Sequence, residues 1–222
     1  MKVLELFAGT RSIGKAFEKE GHEVFSVDWD KSFDNIQWYT NVGTISKKDI
    51  VDRFGKPDVI WASPDCTTYS IAAISTHREY INGILLAKSR YAQQCDIINR
   101  NLIELINVLN PKYYFIENPR GGLRKMGFIK HLPRYTVTYC QYGDSRMKPT
   151  DIWTNHPNPQ FKPMCKNGDS CHVSAPRGSR TGTQGLEKRD RSVIPQQLCE
   201  HIVGICSSEN IEVDKAQLKL EI

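Results

Sequence analysis

Strand-like and helix-like patterns alternate through the first half of the chain. Val3-Leu4-Glu5-Leu6-Phe7 reads as a buried strand, and Ser12 to Glu20 as a helix with Ile13, Ala16 and Phe17 on one face. His22 to Asp28 reads as a second strand ending in acid. Asp58-Val59-Ile60-Trp61-Ala62 is a third, cut off by Ser63-Pro64. Ile98, Leu102, Leu105, Ile106 and Leu109 recur at helical spacing, which predicts a long helix from about Tyr91 to Leu109, stopped by Asn110-Pro111. Lys112 to Ile116 is a fourth strand, running into Glu117-Asn118-Pro119. This alternation, with Gly, Pro, Asp and Asn at the strand ends, predicts an α/β fold on a mostly parallel, doubly wound sheet.

The pattern then loosens. Tyr135 to Gln141 and Asp151 to Thr154 look like strands, while Asn155 to Arg191 is rich in Pro, Gly, Lys, Arg and Ser and poor in aliphatics. Ile194 to Cys206 reads as a closing helix with Pro195 in its first turn. The expected organisation is a core over 1–154, a small irregular basic lobe over 155–192, and a returning helix with tail over 193–222.

Composition narrows the class. With 222 residues the chain can bury a core, and its 39% hydrophobic and 25% charged content is that of a soluble globular domain. No stretch approaches the roughly 20 apolar residues of a membrane span. Met1 leads directly into a strand, so neither a leader nor a membrane is expected, and a cytoplasmic setting follows. Seven cysteines, an odd number, suit thiols in a reducing compartment. Cys95, Cys199 and Cys206 fall in apolar helical patterns and read as small core residues, whereas Cys66, Cys165 and Cys171 need another role. The net charge of +5 is uneven: from Arg120 to Arg191 fourteen basic residues face five acidic ones. That asymmetry suits a polyanion such as nucleic acid.

Candidate chemistry gathers at the strand ends, where open parallel sheets bind ligands. The first strand is followed by Phe7-Ala8-Gly9-Thr10-Arg11-Ser12-Ile13-Gly14, a turn that lets backbone approach a ligand before a helix begins. Asp28 lies nineteen residues after Gly9, close to the ~20-residue offset at which an acid takes a ribose hydroxyl. Trp29 beside it offers an indole face to an adenine. The third strand ends Ser63-Pro64-Asp65-Cys66-Thr67, placing a thiol near the start of a predicted helix, where it should be partly exposed and unusually acidic. The fourth ends at Glu117. A thiolate and a carboxyl group on adjacent strand ends, beside an adenosine pocket, fit the activation of cytosine carbon 5 by addition at carbon 6.

With these residues the chain resembles the DNA (cytosine-5) methyltransferases. The matching blocks are Leu4 to Gly14, Val27-Asp28-Trp29, Ser63-Pro64-Asp65-Cys66, Glu117-Asn118-Pro119, Tyr142-Gly143 and Ile194-Pro195. The Ala-Ser-Pro-x-Cys-Thr pattern and Ile152-Trp153-Thr154-Asn155 are most similar to short enzymes encoded by bacteriophages and prophages, for which protection of DNA from restriction is implied. The resemblance implies a Rossmann-like fold and S-adenosylmethionine as cofactor. It places Phe7, Gly9, Thr10, Ser12, Ile13, Gly14, Asp28, Trp29, Ser63 and Pro64 at that cofactor, Cys66 as nucleophile and Glu117 as the cytosine-binding acid. DNA, double-stranded with the target base flipped out, would be the partner, met by Asn118, Arg146 and Lys148.

Four positions depart from the family pattern. Arg11 stands where glycine is common, and Asp65 replaces a second proline. Thr44 falls about where an acid often reads the adenine amino group. The usual Gln-x-Arg-x-Arg is absent, and its target-base arginine aligns with Pro149, Thr150 or Asp151, leaving Arg146 or Lys148 as substitutes. In the lobe, Cys165, Cys171 and His172 flank a Gly-containing turn and read as candidate zinc ligands, with Cys140 or His156 as a fourth. Arg177 and Arg180 are the expected phosphate or base contacts. The small lobe also leaves RNA, a free cytosine nucleotide, or a non-catalytic binding role as alternatives.

Overall fold

The computed structural model describes residues 1–174 and 186–218, except the side chains of 188 and 209–218. In chain order the elements are β1 (Lys2–Leu6), α1 (Ser12–Lys19), β2 (Glu23–Asp28), β3 (Trp38–Tyr39), α2 (Lys47–Arg53), β4 (Val59–Ala62), α3 (Ile74–His77), β5 (Arg78–Ile81), β6 (Ile84–Ala87), α4 (Arg90–Leu109), β7 (Tyr113–Pro119), β8 (Arg134–Thr138), β9 (Pro149–Thr154), α5 (Lys188–Ser192) and α6 (Gln196–Leu218). Seven strands form one sheet in the order β3-β2-β1-β4-β7-β9-β8, with β9 antiparallel to both its neighbours and the other pairings parallel. The order reverses between β1 and β4, so a crevice opens at their carboxyl ends.

Both faces of the central strands are buried, which is why they read as almost unbroken apolar runs. Leu4, Leu6, Ile60 and Ile116 pack under Leu102, Leu105, Ile106 and Leu109 of α4. On the opposite face Val3, Trp61 and Phe115 meet Ile13 and Phe17 of α1 and Leu198 and Ile202 of α6. Each such fully buried aliphatic contributes roughly 1.5–3 kcal/mol. α4 is delimited as its sequence predicts: Ser89 Oγ accepts from Ala92 N–H (3.1 Å), and Asn110 closes the helix in the left-handed region before Pro111. Cys95, Cys199 and Cys206 are buried, as expected.

The structure changes some boundaries. The two-residue β3 and the β5–β6 hairpin carry little periodic signal. β8 stops at Thr138, where the chain turns into a 3₁₀ segment over Tyr139–Tyr142. α6 begins just after Pro195, whose carbonyl accepts from Leu198 and Cys199 N–H (3.0 and 3.1 Å).

Candidate active site

Three loops meet where β1, β4 and β7 end. In the first, Phe7, Gly9 and Arg11 all adopt positive φ (55°, 51° and 57°), folding the chain sharply before α1. Gly9 N–H donates to Asp28 Oδ2 (2.8 Å) and Asp30 N–H to Oδ1 (2.9 Å), so Asp28 binds the loop after β1 to the end of β2. Trp29 stands beside it, 65% exposed. Thr10 Oγ1 and Ser12 Oγ share a hydrogen bond (3.0 Å), and Ile194 N–H donates to Ser12 Oγ (3.3 Å), joining this loop to the chain entering α6.

Two residues expected to line the cofactor lie deeper. Ile13 is fully buried in the core, and Gly14 N–H donates to Glu5 Oε1 (2.8 Å), so both form the floor of the loop. Arg11 stands where a glycine was expected because its side chain completes a buried network. It donates to Ser26 Oγ (2.9 Å), pairs with Glu18 and lies 3.9 Å from Glu5. Burial pushes the Glu5 carboxyl up to about 7, against the hydrogen bonds from Ser26 and Gly14 and the Arg11 charge. Thr44 is exposed and donates to Asn41 O (2.9 Å).

The second loop carries Cys66. Ser63 Oγ accepts from Trp61 Nε1 (2.8 Å), and Asp65 explains the missing proline: Oδ1 accepts from Thr67 N–H (2.6 Å) and Oδ2 from Tyr91 Oη–H (2.8 Å). The carboxylate thus pins the turn at Cys66 to α4. The expected helix after Cys66 is only the 3₁₀ turn Thr67–Tyr69. The expected acidity is also reversed: burial, with Asp65 and Glu117 nearby, pushes the Cys66 thiol up to about 11, and only Lys148 among the neighbouring charges acts in the other direction. One short turn supplies too little dipole to offset that.

Beneath the turn lies a network that sequence reasoning missed. The wholly buried Arg78 side chain donates to Thr68 O (2.8 Å), Thr68 Oγ1 (3.0 Å) and Asp96 Oδ1 (2.8 Å), and sits 3.9 Å from the centre of the Tyr69 ring. Tyr69 in turn donates to Asp96 and accepts from Asn99 (2.7 and 2.9 Å). The available signal was Asp96 and Asn99, polar residues three apart in an amphipathic helix.

In the third loop, Ala62 and Ile116 are register partners, so Cys66 and Glu117 follow from neighbouring strands. Glu117 Oε1 accepts from Tyr139 Oη–H (3.0 Å). Asn118 was expected at nucleic acid, but it is buried and donates from Nδ2 to Pro64 O (2.9 Å), a strut between the loops that carry Cys66 and Glu117. Arg146 was expected there too. It is buried instead, its Nε 2.9 and 3.1 Å from the two oxygens of Asp144. Thr150 and Asp151 are also buried, Asp151 held by Arg124 and by Thr136 Oγ1 (2.8 Å). Of these candidates, Lys148 is the one whose charge acts on Cys66 and Glu117; its Nζ lies 4.4 Å from the Tyr139 ring centre and donates to Arg191 O (2.7 Å). Burial lowers its pKa, with the charge of Arg146 acting the same way and those of Glu117, Cys66 and Asp144 acting against it.

In the lobe, Cys165, Cys171 and His172 converge with Cys140, all four donor atoms within 4.8 Å of one another. His156 is elsewhere, its Nδ1 accepting from Asn158 N–H (3.2 Å) and its Nε2 3.2 Å from Ile205 O. Arg177 and Arg180 lie outside the described residues.

A parallel sheet with its crevice between β1 and β4 has the architecture of the Rossmann-like methyltransferases, and two solved structures show the same fold. A prophage-encoded E. coli protein described as a DNA modification methyltransferase superposes with TM-score 0.50 at 13% identity, over 69% of this chain and 46% of that one. The Entamoeba histolytica methyltransferase EhMeth gives 0.51 at 15%, over 69% and 52%. The chain spans about half the length of each. The family described as C-5 cytosine-specific DNA methylase matches residues 1–127. A frog virus 3 (isolate Goorha) protein, named a probable DNA (cytosine-5)-methyltransferase, is 30% identical over 230 residues, 93% of this chain and 100% of that relative. The chain belongs to the C-5 cytosine-specific DNA methylase family.

Proposed function

We propose that this chain transfers a methyl group from S-adenosylmethionine to carbon 5 of a cytosine flipped out of double-stranded DNA, with Cys66 as the covalent nucleophile. The observation that carries this reading is the electrostatic grouping of Cys66, Glu117 and Lys148 at adjoining strand ends. S-adenosylmethionine, when bound, supplies the electrophilic methyl group. The residues present fit it: the sharply turned Phe7–Ser12 loop leaves space at Gly9, Asp28 keeps a second lone pair on each oxygen for a ribose, and the Trp29 indole is exposed.

The Cys66 thiol releases its proton to solvent, Sγ adds to carbon 6, and the carbon 5–carbon 6 π electrons move onto carbon 5. Glu117, oriented by Tyr139, holds ring nitrogen 3, where charge develops. Lys148 stands in for the missing arginine, its ammonium stabilising the thiolate as it forms. After methylation, loss of the carbon-5 proton restores the double bond and expels Cys66. Family membership and the full-length viral relative favour DNA over RNA or nucleotide as acceptor.

The test is transfer of labelled methyl from S-adenosylmethionine to duplex DNA, RNA and cytidine nucleotides in parallel. Duplex DNA should be labelled, and a 5-fluorocytosine oligonucleotide should trap a covalent adduct. Cys66→Ala and Cys66→Ser should abolish both, and turnover surviving in either variant would exclude the covalent route.

A further inference from the structure

Cys140 ends β8's turn in the core, while Cys165, Cys171 and His172 belong to the lobe. The Sγ atoms of Cys140 and Cys165 are 3.1 Å apart, and those of Cys171 and Cys140 3.5 Å. His172 Nδ1 lies 3.8 Å from Cys165 Sγ and 3.6 Å from Cys171 Sγ. A disulfide would bring two sulfurs to ~2.05 Å and leave the other donors without purpose. Tetrahedral zinc, with Zn–S of ~2.3 Å and Zn–N of ~2.0–2.1 Å, separates its donors by about 3.5–3.8 Å. These four separations fall at or inside that spacing, and all six donor pairs lie within 4.8 Å.

The surroundings are built to hold the donors there. Cys165 N–H donates to Thr138 Oγ1 (3.0 Å), Lys166 N–H to Asp169 Oδ2 (2.7 Å), and Gly168 turns the chain at φ 94° between the two cysteines. Gln141 Nε2 lies 3.6 Å from Cys171 Sγ, placing an amide donor against that sulfur. We propose that Cys140, Cys165, Cys171 and His172 form a Cys₃His structural zinc site that clasps the small lobe onto the core beside Tyr142-Gly143. Three thiols lose their protons to solvent as the ion binds, leaving the centre with one net negative charge. Val173 N–H donates to Ser145 O (2.8 Å) immediately after the last ligand, a second tie between lobe and core. The metal assignment stands apart from the methyl-transfer reading.

The experiment is elemental analysis of the purified full chain, with cobalt substitution as a second readout. One zinc per chain is expected, and the cobalt form should show intense thiolate-to-cobalt absorption with a tetrahedral d–d spectrum. Cys171→Ser, at an exposed position, should fold and lose most of the metal. Cys66→Ser should keep one zinc while losing methyl transfer, which separates the two readings. Folded wild-type protein that binds neither zinc nor cobalt overturns the proposal, as does a Cys140–Cys165 disulfide found in protein purified under reducing conditions. Full zinc retention in a folded Cys140→Ser variant would overturn the four-ligand assignment.

Discussion

Lys148 and Glu5 are the two residues whose buried charge decides most. Lys148 is the cation that counters Asp65 and Glu117 at the Cys66 thiol. Lys148→Met should lower kcat about 10²–10³-fold, in the range for loss of one electrostatic group in a desolvated site, with cofactor affinity little changed, as single-turnover assays and calorimetry would show. With the thiol pushed up to about 11, alkylation of Cys66 by iodoacetamide in the ligand-free protein should be slow at pH 7.5 and accelerate toward pH 11. Glu5 is raised from 4.5 to about 7, so the folded state keeps a proton that the unfolded state releases. Its contribution is fully present below pH 4.5 and lost as pH rises through 7, on the order of 3 kcal/mol in all. Glu5→Gln keeps an acceptor for Gly14 N–H, so its stability should vary less between pH 5 and 8 in urea titrations. The sequence marks Lys148 as a possible substitute for the missing arginine, whereas Glu5 is only one polar position in an apolar strand.

Among the elements, the loops depend on what lies beneath them. A Cβ at Gly14 would overlap the Glu5 carboxylate, which Ser26 and the Gly14 amide fix in place. Gly14→Ala should therefore cost about 1–3 kcal/mol, the usual range for overpacking, read from the midpoint of urea unfolding. Arg78 binds the turn after Cys66 to α4, and removing it leaves Asp96 short of its buried partner. Arg78→Met should destabilise by about 3–5 kcal/mol, whereas Tyr91→Phe, which releases Asp65 and Thr67, should keep the fold and lower kcat several-fold. The alternation of apolar runs shows β1, β4, α4 and β7 because each buries a face along its whole length. The β5–β6 hairpin escapes that logic, since its strands are four residues long and half exposed.

Across the whole molecule, the basic half follows the strand ends that hold Cys66 and Glu117. Arg146 is committed to Asp144 and Lys148 to the site, which leaves Arg177 and Arg180 as the first candidates for binding phosphate. Substituting both by Ala should reduce the slope of log affinity for DNA against log salt by about 0.9 for each phosphate no longer neutralised, measured by fluorescence anisotropy, with little change in kcat. The linear chain was enough to establish the α/β sheet, the order of chemistry along its strand ends, and Cys66 and Glu117 as candidates, because strand-end motifs are local and the resemblance spans most of the chain. It also singled out three of the four clustered metal-ligand candidates and left Cys140 and His156 open for the fourth. The folded molecule alone reveals which of these donors meet, that Asn118 ties two loops together, and that Arg146 is buried against Asp144. It likewise makes the thiol beside Pro64 less acidic than free cysteine. Burial and the approach of charges from distant segments settle those questions, and neither is encoded within any single run of residues.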